Sequence, residues 1–324
     1  MMTYSRFRMW LSEGILEIIL ILFCVALSFM APGFLTAENL LNVLRNVSMQ
    51  GVIAFGMTMV IVAGEIDLSV GSAVAFAGCL AAFLTQALTG AGVGLPLAIA
   101  IAILITLAVG FLIGAFTGFM RTRYQVPSFI TTLALLTGLS GAAELITNGF
   151  PLTPFPDWYN FIGGGYVLGV PFPAVIFLLT FAALQFLMNY TTFGRSVYAV
   201  GGNAEAARLS GINVKRVKTL VLGTTSFLAA ASGIMVSSEI MSGTATTAKG
   251  WELDIIAAVI IGGTSLMGGV GRIWGTMIGV VFLGVIMNGM TLLNVSEYWQ
   301  HVVRGALILI AVLLNLLQKG REQR

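Results

Sequence analysis

Apolar residues run along this chain in long blocks separated by short polar intervals. They show neither the alternation of a half-buried strand nor the narrow stripe of a soluble helix. The blocks cover roughly 14–30, 50–63, 69–88, 94–119, 127–147, 168–188, 217–240, 253–268, 273–293 and 301–317. Each is read as a helix, because backbone exposed to lipid must satisfy its hydrogen bonds within its own segment. Most approach the roughly 20 residues that a bilayer crossing needs; the second and eighth fall short. The expectation is an all-α polytopic membrane protein, with residues 1–324 forming a single transmembrane domain of about ten transmembrane helices. Glycines recur inside the blocks, as at Gly110, Gly114 and Gly118, a small-xxx-small row suited to close helix packing in lipid.

Composition agrees with the pattern. The chain has 324 residues, 58% hydrophobic and 9% charged, where a soluble domain carries about 25% charged residues. The formal charge of +3 is too small to argue for a nucleic-acid partner, so the expected surroundings are membrane lipid. Cys24 and Cys79 both lie in apolar blocks and read as small buried hydrophobes. His301 is the only histidine, which leaves no metal-ligand set and no Ser/His/Asp or Cys/His arrangement. Enzyme readings are therefore poor. The first block follows Arg6 and Arg8 but lacks a small-residue cleavage site before Pro32, so it is read as a retained span.

Basic residues set the orientation. Arg6 and Arg8 precede the first block, and Arg121 and Arg123 follow the fourth. Arg272 follows the eighth, and Lys319, Arg321 and Arg324 follow the tenth. With ten spans and cytoplasmic N- and C-termini, all of these fall on the cytoplasmic side of the membrane. The intervals 148–167 and 242–252, expected outside, hold only Lys249 between them. Arg45 is the exception, in an amphipathic segment before the second block. Arg304, near the start of the tenth, is read as snorkelling outward. The Pro- and Trp-bearing stretch 153–159 reads as a rigid outer loop, either a docking rim or an interface anchor around Trp158.

The longest polar interval, 191–218, carries five of the 16 Lys+Arg: Arg195, Arg208, Lys215, Arg216 and Lys218. Within it Asn203 is a good N-cap, Glu205 sits where the helix dipole favours an anion, and Gly211 suits the C′ position. A short capped helix held between two spans reads as a grip for another protein. The chain has no phosphate-binding glycine loop of its own.

Glu65 and Asp67 follow a short apolar block with no flanking basic cluster. Gly64, Gly71, Thr58, Ser69 and Ser72 surround them, which points to a broken helix lined with hydrogen-bonding groups. Such a lining suits an uncharged polyhydroxy ligand, and intramembrane charge is costly and usually functional. The competing reading is that Asp67 or Ser69 merely caps the third helix at the cytoplasmic surface. A third makes Glu65 or Asp67 a proton site. Asn288, inside the ninth block, either faces the passage or bonds to a neighbouring helix. Glu65-x-Asp67 and Glu252-x-Asp254 also occupy corresponding places in two five-helix halves. Five is odd, so the halves would be inverted repeats.

Several motifs together are recognisable. Glu205-Ala206-Ala207-Arg208-Leu-Ser-Gly211 matches the Glu-Ala-Ala-x-x-x-Gly signature of ATP-binding-cassette importer permeases. With Gly64-Glu-Ile-Asp-Leu-Ser-Val-Gly-Ser72, Ala199-Val-Gly-Gly-Asn203, Gly211-Ile-Asn213 and Gly262-Gly-Thr-Ser-Leu-Met-Gly-Gly269, the chain resembles the ribose-type monosaccharide permeases from about Phe34 to Leu314. The resemblance implies a bacterial inner-membrane subunit forming the pathway for a monosaccharide or similar compound. It implies a second permease copy, identical or related, an extracytoplasmic sugar-binding protein, and a cytoplasmic ATPase that carries the ATP and Mg. This chain itself would bind no cofactor. Asn203, Glu205, Ala206, Ala207, Arg208 and Gly211 would form the coupling helix gripped by the ATPase. The family motif often has Gly where Glu65 stands here. The rival reading is a self-sufficient secondary transporter with a proton site at Glu65 or Asp67, and which sugar moves is open at this stage.

Overall fold

Helix follows helix in the computed structural model, which describes residues 15–322. Arg6, Arg8 and Arg324 lie outside those residues, as do the side chains of Lys319 and Arg321. The order is α1 (Ile15–Met30), α2 (Ala37–Val62), α3 (Val70–Gly90), α4 (Leu95–Arg123) and α5 (Ser128–Thr147). A 3-10 turn at Asp157–Asn160, the four-residue α6 (Phe161–Gly164) and a minimal hairpin, β1 (Tyr166–Val167) with β2 (Val170–Pro171), lead to α7 (Phe172–Tyr190). Next come α8 (Thr192–Gly202), α9 (Ala204–Leu209), α10 (Val214–Glu239), α11 (Trp251–Ile261), α12 (Ile273–Leu292) and α13 (Glu297–Glu322).

Among the described residues, seven helices are long and apolar enough to cross a membrane: α2, α3, α4, α5, α7, α10 and α12. α1 is apolar but shorter. Two boundaries differ from the sequence expectation. The block at 50–63 is the second half of the 26-residue α2, whose first half is the amphipathic segment carrying Arg45. That half escapes a hydropathy scan because Glu38, Asn39, Asn42, Arg45 and Asn46 interrupt its apolar residues, and it is exposed or half-buried until Val47. The block at 253–268 stops as a helix at Ile261, because Gly262-Gly263 leaves the helical path and Gly263 has φ +88°.

α10 is the axial element, packed by α2, α3 and α4. Gly110, Gly114 and Gly118 of α4 face Ser226 and Ala230, Leu222, and Thr219 of α10 in turn. A Cβ at Gly118 would come within 2.5 Å of the Thr219 Cα, so the row sets how closely the two backbones approach. Gly78 of α3 meets Gly233 and Ser237 of α10 in the same manner. α2 is buried for most of its length and supplies the centre of the core with Phe55, Met57, Met59 and Ile61.

Within the 153–159 loop Tyr159 makes the contact with the bundle, whereas Trp158 lies at the surface. Trp158 is 52% exposed, whereas Tyr159 is fully buried with its hydroxyl 3.0 Å from Ser237 Oγ. Burying such a ring contributes roughly 1.5–3 kcal/mol. Arg45 reaches the same region. It donates to Tyr166 Oη at 2.6 Å and stands 3.9 Å from Glu239, so its charge is met at the loop face opposite α8 and α9.

Candidate functional site

Two places carry the candidate residues, and they adjoin. The first is the loop between α7 and α10. Thr191 Oγ1 accepts from Gly194 N at 3.2 Å and starts α8. Asn203 then breaks the helix at φ −158°, and its Oδ1 accepts from Glu205 N and Ala206 N, both at 3.0 Å. This is the side-chain cap that the sequence called for, and it satisfies two of the donors a helix start leaves open. Gly211 has φ +85°, a conformation Gly adopts without a Cβ penalty, and Ile212 N returns to Ala207 O at 3.0 Å to close α9. Asn213 Oδ1 accepts from Arg216 N and starts α10.

Exposure divides α9 into two faces. Ala207 is only 4% exposed and packs into the core of the helix bundle, so its small size serves close approach within this chain. Glu205, Ala206, Arg208 and Leu209 face out. Arg208 clasps Glu205 through Nη2–Oε1 at 2.6 Å and Nε–Oε2 at 3.0 Å. The Arg208 hydrogen bonds, and then its charge, hold the Glu205 carboxyl below its ordinary range. Leu209 is 75% exposed. The sequence reading passed over it, although a leucine in an otherwise polar six-residue helix was a visible signal.

The second place is the break between α2 and α3. Gly64, φ +75°, ends α2, and Glu65 N bonds back to Val60 O at 3.0 Å. From Glu65 to Ser69 the chain has no regular secondary structure. Ile66 N donates to Ser128 Oγ and Leu68 N to Thr132 Oγ1, both at 3.1 Å, so the segment climbs beside the first turn of α5. The buried Glu65 carboxylate pairs with Arg121 at 2.8 Å and with Lys218. Asp67 is fully buried; its Oδ1 accepts from Ser69 N at 2.8 Å and Ser69 Oγ at 2.6 Å. This is an Asx turn leading into α3. Its Oδ2 is buried without a hydrogen-bond partner among the described residues. Ser72 Oγ donates to Ser69 O at 2.8 Å.

The break spans depth. Lys218, beside Glu65, and Gly233, beside Val74, are separated by about 22 Å along α10 at 1.5 Å per residue. α3 therefore begins well inside the helix bundle. There its first turn meets the start of α11: Gly71 lies against the Glu252 carboxylate and the Ala248 carbonyl. The Glu-x-Asp pairs do not hold equivalent positions, because Glu65 and Asp67 precede the Ser69 cap whereas Glu252 and Asp254 follow the Gly250 cap. Asp254 turns to Arg304, with Nε 2.9 Å from Oδ1, close enough for an ion pair although the N–H is not aligned on the oxygen. Arg304 thus faces inward to a partner instead of snorkelling.

Thr58 and Asn288 do not join the break. Thr58 Oγ1 donates to Ala54 O and lies 2.6 Å from Thr276 Oγ1, within the α2–α12 contact. Asn288 exchanges two amide hydrogen bonds with Asn39, at 2.7 and 3.0 Å. That pair sits at the far end of α2, some 34 Å from Val62 along the axis. No cluster of three or more His, Cys, Asp or Glu positioned to hold a metal occurs among the described residues. At the face away from α9, a cleft of about 680 Å³ opens between the end of α5 and residues 244–246, with Glu144, Asn148, Thr244 and Thr246 in its lining.

Comparison with known proteins identifies the family. No solved structure matches the chain. The probable ABC transporter permease protein YphD of Escherichia coli K12 is 44% identical over 315 residues, covering 96% of this chain and 91% of that protein. The ribose import permease protein RbsC of Bacillus subtilis is 44% identical over 298 residues, 91% and 90% of the two chains. The L-arabinose ABC transporter permease protein AraH of Azospirillum brasilense is 37% identical over 312 residues, 96% and 89%. The family model described as branched-chain amino acid transport system / permease component matches residues 39–312. A match over that span, with relatives this similar along nearly their whole length, makes this chain a member of that permease family, a transport component and not an enzyme.

Proposed function

We propose that this chain is the membrane-spanning permease of an ATP-driven importer of a monosaccharide or a similar small polyhydroxy compound. The family description mentions branched-chain amino acids, whereas the relatives similar along the whole chain are named for ribose, L-arabinose and xylose. Polyhydroxy ligands also fit the hydroxyl-rich break at Ser69 and Ser72 and the Glu144–Thr246 cleft better than a zwitterion does.

The observation that carries the reading is α9, a helix capped at both ends that buries Ala207 against the bundle and turns Glu205, Ala206, Arg208 and Leu209 outward. A cytoplasmic ATPase grips it, and ATP binding and hydrolysis there move the loop. A sugar-binding protein delivers the ligand at the opposite face, into the cleft near Glu144. Two permease copies, identical or related, enclose the passage. Ten spans follow if α1, α11 and α13 join the seven long apolar helices, with both termini on the cytoplasmic side. The location of Arg121, Arg123, Arg195, Lys215, Arg216 and Lys218 at the α9 face favours that orientation. The meeting of α3 and α11, each a broken helix starting inside the bundle, favours two inverted five-helix halves. Asp67, Ser69 and Ser72 lie where those half-helices meet and are the leading pathway residues. Glu65 serves this path from its edge, Thr58 and Asn288 through helix packing.

Glu65 is committed to two cations, so the proton-site alternative rests on Asp67 alone. Reconstitution decides the matter. Uptake of sugar into proteoliposomes should require this chain, its ATPase, its binding protein and ATP together. Uptake by the chain alone, driven by a pH gradient, would overturn the proposal.

A further inference from the structure

α8, which leads into α9, touches the start of the α2–α3 break through backbone. Gly201, in the last turn of α8, lies so close to the end of α2 that a Cβ there would be driven into the Val62 carbonyl oxygen and within 2.7 Å of Gly269 N. The same Val62 carbonyl accepts a hydrogen bond from Gly269 N at 2.8 Å. Gly268 closes the contact, since its Cβ would stand 2.9 Å from Gly201 O and 3.0 Å from Gly64 Cα. A side-chain bond reinforces it: Tyr198 Oη donates to Gly271 O at 2.9 Å. Three segments that are remote in sequence therefore share one backbone junction, in which no side chain cushions the contact.

Each segment leads to a different moving part. Val62 and Gly64 precede the irregular stretch that leads into α3. Residues 264–271 follow α11 and precede α12. Gly201 is two residues from the cap of α9. We infer that this junction is the point where motion of the coupling loop divides, so that α3 and α11 are driven together. Gly201 is accordingly a positioning residue for transport. Backbone packed on backbone transmits displacement with little loss, because close-packed contacts have low compressibility. A side chain at Gly201 would separate α8 from Val62 and Gly269 and let the loop move without the half-helices. This inference rests on the importer reading above.

The neighbouring glycine supplies the control. A Cβ at Gly202 meets nothing within 4 Å, and both glycines lie in α8, so Gly→Ala changes helix propensity alike at each. The test uses the reconstituted complex of permease, ATPase and binding protein, and reads sugar moved per ATP hydrolysed. Gly201→Ala should retain ATP hydrolysis within twofold while sugar moved per ATP falls at least tenfold, and Gly202→Ala should match the wild type. Equal loss in both variants, or wild-type coupling in Gly201→Ala, would overturn the inference. If Gly201→Ala fails to assemble, amide hydrogen exchange in the wild-type complex decides. A non-hydrolysable ATP analogue should change exchange at 64–69 and 262–271 together with 203–211. A change confined to 203–211 would count against the junction. Absence of ATP-dependent uptake by the wild-type complex would instead refute the importer reading.

Discussion

Glu65 and Lys218 stand 153 residues apart in the chain and form a buried ion pair, with Arg121 as the second cation on the same carboxylate oxygen. The pair ties the α2–α3 break to the start of α10, the element on which most of the bundle packs. Removing one member of a buried pair leaves the other without a counter-charge, which costs on the order of 3 kcal/mol. Glu65→Gln should therefore lower the thermal unfolding midpoint of the purified permease. Adding Lys218→Met should restore part of the loss, and a double-mutant cycle would measure the coupling. Independent, additive losses would show that the two residues do not share an interaction.

Exposed residues of α9 should behave in the opposite way. Leu209→Asp changes the outward face without touching the core, so its effect on stability should stay within about 0.5 kcal/mol. Binding of the ATPase and ATP-dependent uptake should both fall at least tenfold. Ala207→Asp should instead damage the fold, because Ala207 is buried against the bundle. Comparing protein yield and thermal midpoint for the two variants separates docking from folding.

The Glu205–Arg208 clasp sets a pH expectation. The Glu205 carboxyl is held below its ordinary range by Arg208. The pair is therefore complete above that range, and its contribution is lost only as pH falls through the lowered value. ATPase binding should be flat from roughly pH 6 to 9 and weaken only in stronger acid. A transition near neutrality would point to a different titrating group. Because the pair is exposed, added salt should also weaken it.

Asp67 separates a capping role from a charge role. Asp67→Asn keeps an oxygen able to accept from Ser69 N, whereas Asp67→Ala removes it at a cost of about 1 kcal/mol. If the Asx turn is what Asp67 supplies, the Asn variant should keep near-normal stability and uptake while the Ala variant loses both. Equal loss of uptake in both variants, at unchanged stability, would assign the function to the charge.

Caps and termini were legible in the residues themselves. Asn203 and Gly211 act through local hydrogen bonds and φ preferences, so the ends of α9 follow from sequence, whereas α8 and its Thr191 cap went unread. The glycine row 110, 114, 118 announced a close contact but not its partner, because which helix fills a groove depends on the whole bundle. Arg121 and Lys218 read only as orientation signals, since nothing local reveals that both turn to Glu65. The course of 65–69 through the bundle was hidden for the same reason, as Ile66 N and Leu68 N donate to the Ser128 and Thr132 hydroxyls of a distant helix. The partners of Arg45 and Tyr159 were hidden as well, because hydropathy cannot register a polar atom that meets its partner far along the chain.

The central claim is that an external ATPase drives this permease through α9. It is tested most directly by measuring ATP-dependent sugar uptake in proteoliposomes holding the full complex, with wild-type permease and with Leu209→Asp. The account predicts uptake that requires ATP and the binding protein, and that falls at least tenfold in the variant while the permease stays folded. Undiminished uptake by Leu209→Asp, or sugar uptake without ATP hydrolysis, would contradict it.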